Sequence, residues 1–128
     1  MEETIQFGEV SAHLFHPGEV YGFVGEMASG KTTFIKGLLM GMEYNDMVNS
    51  PTFTLINEYH AIHKVIHIDC YREDDINRWL DLGIFEYFSS DSIVLIEWPE
   101  IISHILPETT KYINFEVLEN NKRKIKII

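Results

Sequence analysis

The stretch that decides the fold is GEMASGKT, residues 25–32, which matches G-x-x-x-x-G-K-[ST] at every fixed position. Glycines permit a tight turn whose backbone N–H groups converge on a phosphate, and a helix beginning at the lysine adds its positive dipole end. Lys31 is expected to reach the β- and γ-phosphates, and the Thr32 hydroxyl to ligate Mg²⁺. The predicted cofactor contacts are Gly25, Glu26, Met27, Ala28, Ser29, Gly30, Lys31, Thr32 and Thr33.

The flanking sequence supplies the context that this motif needs. EVYGFV at 19–24 predicts a buried strand leading in, and TFIKGLLM at 33–40 predicts a helix leading out. Phe34, Leu38 and Ile35 fall on one face of that helix. Because motif and context agree, a glycine-rich turn without a ligand is the weaker interpretation.

Length and composition indicate one globular domain, residues 1–128, with 45% hydrophobic residues. No apolar run approaches the roughly 20 residues of a membrane span. The start, Met1-Glu2-Glu3, is acidic, unlike a signal peptide. A single cysteine, Cys70, excludes an internal disulfide and fits a reducing compartment. We therefore expect a cytoplasmic protein that does not contact membranes.

The formal net charge of −10 argues against a protein that grips nucleic acid by itself. The only basic cluster is KRK at 122–124 with Lys126. RNA is therefore expected to approach only through a protein partner.

Outside the phosphate loop, periodicity predicts further helices and strands. An amphipathic helix is expected over 3–14, with an apolar stripe interrupted by Gly8. That stripe comprises Ile5, Phe7, Val10 and Leu14. The polar residues of the helix, such as Thr4, are expected on the surface, and a position near the nucleotide base is the alternative for Thr4 and its neighbours. Gly41 suggests the C-cap of the loop helix.

The second half of the chain alternates strands with short helices. Strands are predicted at 54–59 and 64–69, forming a hairpin, and at 92–98, 112–118 and 124–128. Helical segments are predicted at 73–82 and 84–88. The unbroken apolar run 93–96 is typical of a parallel strand that is buried on both faces.

Two acids follow apolar strands and could serve the metal. Glu97 follows the cleaner run, as expected of a central strand beside the loop strand, so it is assigned to the Mg²⁺ shell, directly or through water. Asp69 follows a run broken by His67, on the hairpin. We assign it a second catalytic or switch-linked role.

Ser50-Pro51-Thr52 is predicted to form a hydroxyl-rich turn downstream of the loop. Such hydroxyls can meet the γ-phosphate or the metal as a switch loop does. Spacing alone favours an ordinary turn that precedes a strand.

The triplet His60, His63 and His67 invites a zinc hypothesis. On strands, His60 and His67 would point in opposite directions, and Cys70 is the only cysteine nearby. A structural zinc site also needs four closed ligands. Zinc is therefore not expected.

Taken together, the segments resemble the bacterial TsaE (YjeE) family, the small ATPase of tRNA threonylcarbamoyladenosine synthesis. The resemblance spans nearly the whole chain. Its segments are the loop, SPTFTLINEY (50–59), HIDCYRE (67–73), LGIFEYF (82–88) and LIEWPE (95–100). A phosphate loop is shared by many families, whereas SPTFTL, H-x-D-x-Y-R and IEWPE in this order are specific.

The resemblance implies a compact three-layer α/β P-loop NTPase fold with a mixed, mainly parallel central sheet and an antiparallel hairpin. It implies Mg²⁺·ATP binding and slow hydrolysis in an assembly with the TsaD and TsaB proteins. That assembly modifies adenosine 37 of tRNAs that read codons starting with A. The ATPase would reset it between cycles rather than transfer the group.

By the same resemblance, Thr32 and Glu97 would hold Mg²⁺, and Lys31 with the loop amides the phosphates. Ser50, Pro51 and Thr52 would form the switch-like loop, with Asp69 and Trp98 supporting turnover. From sequence alone, a core position is the default for Trp98. One departure is Ala28, where the family usually has glycine, which predicts an altered nucleotide affinity.

Two other functions fit a phosphate loop. A small-molecule kinase would need an acceptor pocket and lid arginines, yet the chain carries only Arg72, Arg78 and Arg123 and no lid-sized insertion. A nucleotide-gated binding module would show negligible hydrolysis.

Overall fold

The computed structural model describes residues 2–26, 29–44, 46, 55–119 and 122–127. The helices are α1 (Glu2–Ser11), α2 (Lys31–Gly41), α3 (Ile76–Asp81) and α4 (Ile84–Phe88), with 3-10 helices at Ala12–Leu14 and Pro99–Ile105. The strands are β1 (Val20–Val24), β2 (Ile56–His60), β3 (Lys64–Asp69), β4 (Ile93–Glu97), β5 (Lys111–Val117) and β6 (Arg123–Ile127).

The six strands form one mixed sheet in the order β2-β3-β4-β1-β5-β6. The four inner strands run parallel, and antiparallel pairing is confined to the outer pairs β2–β3 and β5–β6. The predicted fold class is confirmed, and so is the antiparallel hairpin, whose strands are β2 and β3. Because β3, β4 and β1 are parallel neighbours, their carboxyl ends bring Asp69, Glu97 and the phosphate loop to one edge.

Hydrophobic clusters cover both faces of the sheet and make the three-layer arrangement. On one face α2 buries Phe34, Ile35 and Leu38, as predicted, against β1, β4 and β5. On the other face Trp79 of α3 and Ile84 of α4 pack on the alternate residues of β3 and β4. All five residues of β4 are buried, which confirms its central position.

Helix α1 is present, but the prediction for its buried face is wrong. Its buried residues are small: Thr4, Gly8 and Ser11. The predicted stripe is largely outward, since Phe7, Val10 and Leu14 are 39%, 65% and 46% exposed. Gly8 does not interrupt the packing face; it is the point of closest approach.

Glycines set the distance between α1 and α2. A Cβ atom on Gly8 would collide with the carbonyl of Phe34, and one on Gly37 with the carbonyl of Ile5. Gly41, predicted as a C-cap, is instead the last helical residue, with Met42 as the cap. A Cβ on Gly41 would lie 2.5 Å from the carbonyl oxygen of Glu9. The two helices therefore touch backbone to backbone.

Replacing Gly37 with alanine is expected to destabilise the protein by about 1–3 kcal/mol, because α1 must move away from α2. Alanine is the better helix former by roughly 1 kcal/mol, so propensity alone predicts the opposite sign. Urea denaturation measures the change, with the exposed Lys36→Ala on the same helix as control. Equal stability of both variants would show that the contact tolerates a methyl group.

Candidate nucleotide-binding site

The phosphate loop joins the end of β1 to the start of α2. A Cβ on Gly25 would lie 2.8 Å from both the Phe115 carbonyl oxygen and the Ser29 hydroxyl, so only glycine fits there. Gly30 has φ +103°, a left-handed conformation that also favours glycine. Ser29 is buried, and its hydroxyl has no hydrogen-bond partner within the described part of the chain. A polar atom left without a partner beside a turn of backbone N–H groups suits a phosphate cradle.

Lys31 is held at the mouth of this loop. Its Nζ donates to the carbonyl of Gly25 at 2.6 Å and lies 3.9 Å from the ring centroid of Trp98. Burial lowers the pKa of Lys31, while the negative charges of Glu97, Glu100 and Asp69 act in the opposite direction. The ammonium is thus held by a neutral carbonyl and an aromatic ring, which an anionic oxygen can replace as partners.

Thr32 and Glu97 meet across 65 residues of sequence. The Thr32 hydroxyl donates to both carboxylate oxygens, at 3.2 Å and 3.1 Å. The parallel pairing of β1 with β4 makes this contact possible. Phe23 of β1 is in register with Glu97 of β4, and the loop after β1 places the first turn of α2, with Thr32, at the same end of the sheet. The two residues that the sequence analysis assigns to Mg²⁺ are therefore in direct contact.

A third group at the site, His67, was not identified from the sequence. It is fully buried on β3, and its Nε2 lies 2.6 Å from Oε2 of Glu97. In the sequence, His67 interrupts an apolar run. The available signal was its spacing two residues before Asp69, which places both side chains on one face of the strand.

The Glu97 carboxyl is shaped by these neighbours. Burial raises its pKa, but the hydrogen bond and charge of His67, the charge of Lys31 and the Thr32 hydroxyl together hold it below its ordinary value. The group is therefore an ionised acceptor. Since a carboxylate only accepts, the Nε2 atom of His67 carries the hydrogen.

Asp69 ends β3 directly beside Glu97, its register partner on β4. It is buried, and its Oδ1 accepts a hydrogen bond from the backbone N–H of Tyr71 at 3.0 Å. The following residue, Cys70, donates its N–H to the Glu97 carbonyl at 3.1 Å. The structure thus places both candidate acids at the same edge, with Glu97 the one that contacts Thr32.

Trp98 is half-buried and has φ +60°, which is strained for a large aromatic residue. Its ring contacts both the Lys31 ammonium and the Tyr71 ring, whose centroid is 4.9 Å away. It also packs against the cluster containing Ile96 and Ile102. The core position expected for a tryptophan is therefore only part of its role, since one face lines the site.

Several predicted residues lie outside the described part: Met27, Ala28, Ser50, Pro51 and Thr52. Thr4, predicted at the surface, is buried beside Gly30. Of the zinc candidates, His60 and His63 are exposed while His67 is buried. Within the described ranges, no cluster of three or more His, Cys, Asp or Glu residues suited to a metal occurs, and no helix has the length and apolarity of a membrane span.

The oxygen ligands and the lysine at this site fit a nucleotide bound with a hard cation. A hydroxyl and an ionised carboxylate converge within hydrogen-bond distance, and such oxygen ligands suit Mg²⁺ when substrate phosphates complete the shell. Lys31 and the buried Ser29 hydroxyl belong to the loop that would bind the phosphates.

Known proteins of one family are similar to this chain over most of its length. The family model described as "Threonylcarbamoyl adenosine biosynthesis protein TsaE" matches residues 1–125. The tRNA threonylcarbamoyladenosine biosynthesis protein TsaE of Treponema pallidum (strain Nichols) is 35% identical over 126 residues, 98% of this chain and 93% of that protein. Its counterpart in Bacillus subtilis (strain 168) is 37% identical over 125 residues, 97% and 78% of the two chains.

A solved structure extends the likeness to three dimensions. The crystal structure of Bacillus subtilis YdiB superimposes with a TM-score of 0.84 at 31% identity, covering 98% of this chain and 78% of that one. The chain described here therefore belongs to the TsaE family of threonylcarbamoyl adenosine biosynthesis proteins.

Proposed function

We propose that this protein binds Mg²⁺·ATP at the loop of residues 25–33 and hydrolyses it slowly within tRNA threonylcarbamoyladenosine biosynthesis. The observation that carries the proposal is the contact of Thr32 with Glu97 beside a loop that holds Lys31 in place. Family membership supports a nucleotide-binding role in tRNA modification.

The roles of the side chains follow from charge and position. Lys31 and the loop amides bind the phosphates, with Ser29 offering a buried hydroxyl. Thr32 and Glu97 would hold Mg²⁺, directly or through water, and the ion would neutralise charge on the phosphate oxygens. Glu97 is the primary catalytic carboxylate because it is ionised and contacts Thr32. Asp69 supports it from the neighbouring strand, and Trp98 holds Lys31.

We further propose that the protein acts with TsaD and TsaB and does not transfer the threonylcarbamoyl group itself. Ser50, Pro51 and Thr52 would form the switch-like loop that responds to the nucleotide. The target would be adenosine 37 of tRNAs that read codons starting with A. The acidic surface, with a net charge of −10, supports indirect rather than direct contact with tRNA.

Reconstitution tests this function directly. TsaD, TsaB, threonylcarbamoyl-adenylate and tRNA are mixed with the protein, with or without ATP, and modified adenosine is counted per complex. We expect many turnovers only when both the protein and ATP are present, because nucleotide turnover resets the complex. The Lys31→Ala variant should leave modification near one turnover.

Different outcomes point to different functions. Multiple turnovers with a non-hydrolysable ATP analogue would favour a nucleotide-gated binding module. An equal number of turnovers with and without the protein and ATP would contradict the proposal. Transfer of labelled phosphate from ATP to a small molecule would instead identify a kinase.

A further inference from the structure

His67 is a buried imidazole that contacts the Glu97 carboxylate of the proposed site. It is 0% exposed, and its Nε2 lies 2.6 Å from Oε2 of Glu97. Its Nδ1 has no hydrogen-bond partner among the described residues. Within that part of the chain, Glu97 is therefore the hydrogen-bond partner that the imidazole has.

A role in packing alone explains this residue poorly. His67 stands in β3 among Val65, Ile66 and Ile68, all fully buried. An aliphatic side chain would fill the space without burying a polar ring, which costs free energy when a ring nitrogen stays unpaired. At the position that contacts Glu97, the strand therefore carries a side chain that lowers the stability of the fold.

The two contacts to the Glu97 carboxylate come from different parts of the fold. Thr32 stands at the first turn of α2, next to the loop that a nucleotide would occupy. His67 stands within the sheet, in register with Leu95 one pleat before Glu97. The His67 contact thus comes from a strand inside the sheet, whereas the Thr32 contact comes from the helix that follows the loop.

We infer that His67 is a positioning residue that fixes the rotamer of Glu97, so that the carboxylate meets Thr32 and the Mg²⁺ shell without rearrangement. This inference rests on the proposed function. Without the N–H of His67, the carboxylate would lose its strongest contact and sample other orientations. The nucleotide contacts of the loop, which do not involve His67, would remain.

The test measures Mg²⁺ dependence of nucleotide binding rather than activity alone. Affinity for a non-hydrolysable ATP analogue is determined by calorimetry in EDTA and across a MgCl₂ titration. For His67→Leu, we expect the Mg²⁺ concentration of half-maximal effect to rise by about 10-fold or more, with the affinity in EDTA unchanged within about twofold. The kcat of hydrolysis should fall by a similar factor.

Matched variants separate positioning from packing. In His67→Gln, the amide nitrogen takes the place of Nε2, and we expect it to restore Mg²⁺ dependence to within about threefold of the parent. His60→Leu, on an exposed position of β2, should behave as the parent. If His67→Leu does not fold, His67→Asn replaces it, since its amide is too short to reach Glu97.

The inference is overturned if the leucine variant titrates with Mg²⁺ like the parent, or if His67→Gln is as impaired as His67→Leu. A loss of affinity in EDTA would also overturn it, because that result assigns His67 to the fold as a whole. If the parent itself shows no Mg²⁺ effect, the proposed function fails and the inference falls with it.

Discussion

Replacing Lys31 with alanine is expected to abolish detectable nucleotide binding. The ammonium lies at the mouth of the loop, 2.6 Å from the Gly25 carbonyl, and a phosphate would replace that neutral partner by anionic oxygens. Each charge-assisted hydrogen bond is worth about 1.5–3 kcal/mol, and every 1.4 kcal/mol is about tenfold in affinity. Loss of two such bonds therefore weakens ATP binding by roughly 100-fold or more.

Calorimetric titration with ATP measures this effect, and Lys36→Ala is the matched control. Lys36 lies on the same helix but is exposed, so its removal should change affinity by less than about twofold. Melting curves of both variants establish that they remain folded. Tight ATP binding by Lys31→Ala would contradict the assignment of this loop to phosphate.

Replacing Glu97 with glutamine is expected to leave ATP bound but to lower hydrolysis on the order of 100-fold. Glutamine keeps the shape and can still contact Thr32, but it lacks the charge that complements Lys31 and the metal. Alanine at this position should lower hydrolysis at least as much. It would also leave the buried imidazole of His67 without its partner and destabilise the protein.

Phosphate release under saturating Mg²⁺ and ATP measures the rate, with binding checked in the same samples. Glu108→Gln is the control, because Glu108 is an exposed glutamate eleven residues further along the chain. Asp69→Asn tests the second acid, which ends the adjacent strand. Unchanged hydrolysis in Glu97→Gln together with loss in Asp69→Asn would move the catalytic role to Asp69.

The sequence was sufficient where the physical signal was local. The phosphate loop, its strand and its helix follow from one motif and two short apolar patterns. The central position of β4 follows from its unbroken apolar run, because only a strand covered on both faces needs one. The antiparallel hairpin followed from alternation on either side of a turn.

The sequence was insufficient where a feature depends on distance between elements. Apolar periodicity predicted that α1 would bury Phe7, Val10 and Leu14, yet the helix packs through Gly8. Hydrophobic patterns record which side chains avoid water, and glycine contributes no such signal. Close backbone contact between α1 and α2 therefore could not be derived from them.

The contact between His67 and Glu97 could not be predicted from the sequence for a related reason. Its contact with Glu97 joins two strands 30 residues apart and exists only in the register that pairs Asp69 with Glu97. A histidine in an apolar run has many explanations until that register is known. Ala28 and the turn at 50–52 lie outside the described residues, so the predictions made for them remain predictions.

The position of β4 has a consequence for folding. β4 lies between β1 and β3, which do not pair with each other, so the sheet closes only when residues 93–97 insert. The hairpin β2–β3 and the unit of β1 with α2 are each local in sequence, whereas Glu97 reaches Thr32 and His67 only once β4 lies between them. The proposed Mg²⁺ ligands Thr32 and Glu97 therefore come together only in the fully assembled sheet. A bound Mg²⁺·ATP would stabilise that folded chain against global unfolding.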